Sequence, residues 1–310
     1  METVSENNPS ANRPAGKLRR AAFYASLVVF LLLLGFLSPL PFLILGWFLE
    51  PEAGEVSHQV HEISFGGLFA LSFVAVITQF RRPANKPAAA LQAAIPILLM
   101  AAAATILGEI DPFVVIFVIA ALLPLVLHPA RRDIFRPRTH VSVPLLALVV
   151  IAALPLTYFA MAQLRTGAEA SPIAKKAFEG LPDDASDERY EAAIEAATSN
   201  PEEQAQVEHS GHWTAMGAFA FAILAVGLVA AFRIRGWRLS AWSAAAALAI
   251  YSAASLTVPR DASAQSTGWA LAGLVGAIVF VVIGEREVRT ERERAEEGQS
   301  AAMSIPVSQT

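Results

Sequence analysis

Long apolar runs, each about the width of a bilayer, alternate along this chain with short charged segments. Eight such runs can be read, at 22–49, 62–80, 88–107, 112–128, 142–162, 213–232, 238–258 and 267–284. A helix needs about 20 apolar residues to cross a ~30 Å hydrocarbon core. The pattern therefore predicts an all-α, polytopic integral membrane protein with eight transmembrane helices. The first run is too long for the apolar core of a signal peptide and has no small-residue cleavage site after it. It is expected to stay as a helix, bent at "SPLP", where Pro39 and Pro41 remove backbone donors.

The segments between the runs alternate in charge. "GKLRR", "RRPANK", "HPARRDIFRPR", "RIRGWR" and "EREVRTERER" fall on one side, and "EPEAGEVSHQVHE", "GEID", an acidic stretch and "PRDASAQS" fall on the other. Basic loops stay in the cytoplasm, so the expected location is the cell membrane with both termini cytoplasmic. The long outer segment, 163–211, reads as a solvated acidic loop in which "DERYEAAIEAAT" has the makings of a short surface helix. Residues 1–20 are expected to form a cytoplasmic tail, and 286–310 read as a charged tail, a frayed helix end followed by a disordered terminus.

Composition narrows the chemistry. Only 16% of residues are charged, against about 25% in soluble domains, so the bilayer is the first partner. There is no cysteine, which excludes disulfides, thiolate metal sites and cysteine nucleophiles. Nucleotide-binding, serine-hydrolase and zinc-protease fingerprints are absent, and short basic turns alone give no support for nucleic-acid binding. No ionisable residue lies deep in a run; the polar content there is Ser, Thr, Gln79, Gln92, Tyr158, Tyr251 and the like. That argues against charge-coupled transport.

The chain also repeats itself. A shift of 151 places His58 on His209, His61 on His212 and Gly66 on Gly217. Pro51 and Pro201, each followed by acids, match within a residue, as do the turns "QFRRP" and "AFRIRG". The expected architecture is two tandem four-helix units, 21–130 and 140–285, related by a parallel repeat. Proline with acids suits the first turn of a helix, and Asn200 is a good N-cap. The second and sixth helices should then start above the hydrocarbon. Each would carry its H-x-x-H pair on one face.

Four of the six histidines occupy these two motifs. Neutral imidazole ligates zinc, copper and haem iron. His58, His61, His209 and His212, with Glu62 and Glu208, form the candidate metal site; Glu55, Glu109 and Asp111 are predicted on the same side. Without cysteine and with five Met, a divalent ion (zinc or copper) or haem fits better than copper(I). His128 and His140, beside basic residues at span ends, read as lipid-headgroup contacts. The alternative is a cofactor-free membrane protein, either an assembly subunit or a carrier of a small neutral or lipidic solute.

Eight spans in two four-helix halves, with histidines at the outer ends of helices two and six, resemble the haem A synthase family. In that family the second and fourth helices of each half supply a haem-ligating pair. The resemblance implies cofactor-binding roles for His61 and His212. It departs at helix four, "DPFVVIFVIAALLPLVLH", and helix eight, "STGWALAGLVGAIVFVVIGE", which bring no histidine to the outer end.

Overall fold

The computed structural model describes residues 14–48, 59–109, 112–134, 141–182, 185–208, 210–261 and 263–303, and its regular elements are all helical. In chain order they are α1 (Pro14–Phe36), α2 (Phe42–Leu45), α3 (Gln59–Gln79), α4 (Pro87–Leu107), α5 (Pro112–Leu127), α6 (Arg131–Ile134), α7 (Val143–Phe178), α8 (Asp187–Ala197), α9 (Pro201–Glu208), α10 (Ser210–Ala231), α11 (Trp237–Thr257) and α12 (Thr267–Met303). Among the described residues, α1, α3, α4, α7, α10, α11 and α12 are long and apolar enough to cross a membrane. The apolar helix α5 has 16 residues, about 24 Å at 1.5 Å per residue. This is a helical membrane protein.

The first run breaks rather than bends: α1 ends at Phe36, just before the two prolines. Ser38 donates its hydroxyl back to Leu34 O, Leu40 N–H donates to Ser38 Oγ at 3.3 Å, and the chain turns through Pro39 and Pro41 into α2. The short α2 then lies directly on α3, admitted by a glycine. A Cβ at Gly66 would sit 2.2 Å from the backbone nitrogen of Leu43. Gly66→Ala is therefore expected to lower stability by about 1–3 kcal/mol, as overpacking does. Gly276→Ala, with nothing within 4 Å of its Cβ, should leave the thermal midpoint in detergent unchanged or slightly raised. Equal losses for both would show that the α2–α3 contact is not the constraint.

Helices α3 and α10 form the centre. Helix α3 packs on α1 and α4, and α5 closes against α1 and α4; α10 packs on α7 and α11, and α12 closes against α7 and α11. Between these groups, α3 touches α10 and α11, and α4 touches α10 and α11. Phe69, Met216 and Phe219 are buried in this central packing. Val150, Ile151 and Leu154 on α7, with Val275 and Ile278 on α12, are exposed, as suits side chains whose solvent is lipid.

The basic side is tightly built. The chain reverses after α3 at Arg82 (φ 52°) and after α10 at Arg233 (φ 50°), both left-handed, a conformation uncommon outside glycine. His128 corrects an expectation: it is fully buried rather than set among headgroups. Its Nδ1 accepts from Ala130 N–H at 3.1 Å, which leaves the proton on Nε2 facing Gln79 Oε1 at 3.2 Å. Gln79 Nε2 in turn donates to Lys86 O at 2.9 Å. A polar side chain at a helix end is held inside when every one of its groups is paired. His140 lies outside the described residues.

The charged stretch after Glu285, read as a frayed helix end before a disordered terminus, continues α12 to Met303, and residues 304–310 lie outside the described residues. Glu285 receives two hydrogen bonds from Arg238 on α11, Glu287 accepts from Ser142 Oγ at the start of α7, and Glu291 pairs with Arg233 in the turn before α11. The stretch 163–211, read as a loop, is largely helical. Helix α7 runs on to Phe178, and α8 and α9 pack on that extension. Ala170, Ala174, Ile194 and Val207 make a small core there, and Phe178 meets Tyr190 edge-to-face at 5.3 Å. Ala170 and Ala174, four apart on α7, supply one face of that core.

Candidate functional site

Both motif-bearing helices begin on the acidic side, and their starts are held by groups from distant parts of the chain. The N-terminus of α3 is held by Asp261, a buried carboxylate beyond α11. Its Oδ2 accepts from Val60 N–H at 3.0 Å and its Oδ1 from Ser263 N–H at 2.8 Å. An acceptor at a helix start satisfies orphan donors and suits the positive end of the dipole. On the other helix, Thr214 Oγ1 donates to Glu109 Oε2, just beyond α4, at 2.6 Å. Asn200 caps α9 as its sequence predicts, accepting from Glu203 N–H at 2.9 Å.

These anchors bring His61 and His212 face to face. Their rings are 3.8 Å apart between centroids and within 6° of parallel. His61 is only 1% exposed, and Phe65, one turn along α3, lies 5.6 Å from His61 and 6.5 Å from His212. Glu62 completes the group: His61, Glu62 and His212 each place one ligand atom within 4.8 Å of the others. Two ligands on one tetrahedral zinc ion stand about 3.3 Å apart, given bonds near 2.0–2.1 Å. Stacked rings aim their nitrogen lone pairs side by side, so an ion shared by both would require the rings to tilt apart from the stack. Two imidazoles and a carboxylate with a remaining open position are the donor set of hydrolytic and hydration-type zinc centres.

Of the residues selected from the sequence, His61, His212 and Glu62 come together. Glu208, at the end of α9, is exposed and stands outside the group. His58, His209, Glu55 and Asp111 lie outside the described residues. Phe65 and Asp261 are the contributors that the sequence reading missed. The "D-A-S" Asx-turn at 261–263 was visible in sequence, but the helix that it caps was not.

Comparisons with protein-family models, with curated proteins and with solved structures find no match for this chain.

Proposed function

We propose that this chain is an eight-span protein of the cell membrane, built as two tandem four-helix units. Its extracytoplasmic face binds a divalent transition metal, zinc or copper(II), through His61 and His212 with Glu62. His58 and His209 are the remaining candidate ligands. The observation that carries the metal reading is the parallel imidazole pair with a carboxylate beside it. Haem is the weaker fit. A bis-histidine haem needs its two rings on opposite faces of the macrocycle, whereas these rings stack on each other. The likeness to haem A synthases is then one of topology, not of ligand set.

The tandem reading is supported by three pairs at the same 151-residue offset: His61 with His212, Gly66 with Gly217, and the left-handed Arg82 with Arg233. Both glycines admit a leucine from an earlier helix, Gly66 taking Leu43 of α2 and Gly217 taking Leu164 of α7. The helix pairings repeat in the same order. The carboxylates also cross over, Asp261 of the second unit to α3 and Glu109 of the first to α10. The metal would sit where the two units meet.

Metal analysis and a visible spectrum of detergent-purified protein test the reading. About one zinc or copper per chain without a Soret band is the expected result; a Soret band selects haem. Neither signal selects the cofactor-free alternative. One observation favours that alternative: an apolar cavity of about 190 Å³ between α7, α10, α11 and α12, lined by Leu148, Leu224, Gly273 and Phe280 among others. It is larger than the ~150 Å³ cavity that holds benzene in an engineered core, and so suits part of a small neutral or lipidic solute. For orientation, a cysteine replacing exposed Glu188 on α8 should react with a membrane-impermeant maleimide in intact cells. Labelling only after lysis would invert the topology.

A further inference from the structure

On the opposite side of the molecule the loops close around a concavity that the metal reading does not use. Arg19 on α1, Arg131, Arg132 and Asp133 on α6, and Arg235 between α10 and α11 line an open cavity of about 460 Å³. Four guanidinium groups thus face one carboxylate. That carboxylate is shared: Arg235 donates to Asp133 Oδ2 at 2.7 Å. Arg19 is aimed by its hydrogen bond to His128 O at 3.1 Å, and the His128 ring is itself locked to Gln79 and Ala130. Arg131 and Arg132 are exposed, within electrostatic reach of Arg19, and have no acidic partner among the described residues.

Retention of basic loops in the cytoplasm explains why arginines are on this side. It does not explain why arginines from three separate stretches of chain converge on one cavity, where their mutual repulsion costs free energy. A bound anion removes that cost. Guanidinium matches phosphate through paired, charge-assisted hydrogen bonds, and basic pockets between membrane helices on this side are where anionic headgroups dock. Val126 on α5, three residues before Pro129 of the pocket lining, is exposed.

We propose that this pocket binds a phosphate group, presented by an anionic phospholipid headgroup or by a soluble phosphate compound. The proposal rests on the membrane fold and is independent of the histidine site. The test uses full-length protein and compares Arg131→Gln, Arg132→Gln with the charge-matched control Arg292→Gln, Arg294→Gln on the end of α12. Native mass spectrometry reads retention of added phosphatidylglycerol against phosphatidylcholine, and thermal unfolding reads the response to inorganic phosphate. Phosphatidylglycerol retained by wild type and control but about thirty-fold more weakly by the pocket variant supports a headgroup. No lipid preference, with a phosphate-induced rise in midpoint that only the pocket variant loses, supports a soluble source. Binding of neither, or equal losses in pocket variant and control, overturns the proposal.

Discussion

Purified protein carrying His61→Phe and His212→Phe is expected to hold no metal above background while remaining folded. Phenylalanine fills the volume of imidazole, keeps ring-on-ring packing 3.8 Å apart possible, and has no lone pair to offer. Each single replacement should lose nearly as much, because a set reduced to one imidazole and Glu62 cannot hold an ion against water. Glu62→Gln keeps shape and removes charge, so binding should fall by at least the ~10–100-fold that losing an outer carboxylate partner costs. The readout is metal content per chain, with thermal unfolding in detergent as the control for folding. Wild-type metal content in the double phenylalanine protein would show that the stacked pair is packing alone.

The membrane helices were legible because twenty apolar residues in a row have few other uses. The histidine pair was legible for a different reason. The same H-x-x-H motif opens two apolar stretches, the helices that carry it, α3 and α10, pack on each other, and His61 and His212 face each other. What stayed hidden was set by contacts between residues far apart in sequence. His128 looked like a headgroup residue because its neighbours Arg131 and Arg132 are basic, yet its surroundings are made by Gln79 and Phe23. The acidic outer stretch looked like a solvated loop with one surface helix because its composition is polar, yet Ala170, Ala174, Ile194 and Val207, with Ile173 and Phe178, form a small core between α7, α8 and α9. The α12 extension looked like a frayed end, and its glutamates find partners far away in sequence, Arg233 in the turn before α11, Arg238 on α11 and Ser142 at the start of α7. Local pattern predicts what the bilayer enforces, and not which distant loop closes a site.

Asp261→Ala is expected to be the most damaging single change outside the ligands. The carboxylate is 5% exposed and accepts two backbone N–H groups, from Val60 and from Ser263. Its removal leaves both donors buried and unpaired, at about 1–3 kcal/mol each, a large part of the stability of an ordinary domain. The loss should also be felt at the histidines. Val60 immediately precedes His61, so releasing the start of α3 frees the backbone that aims His61 at His212. Metal affinity should therefore fall along with the thermal midpoint, although position 261 is no ligand. Asp261→Asn separates the two effects, because its remaining carbonyl oxygen can still accept from one of the two donors. It should recover much of the stability and much of the metal binding together. Full metal binding in a strongly destabilised Asp261→Ala protein would mean that His61 is positioned by its stack with His212 and Phe65, without help from the cap.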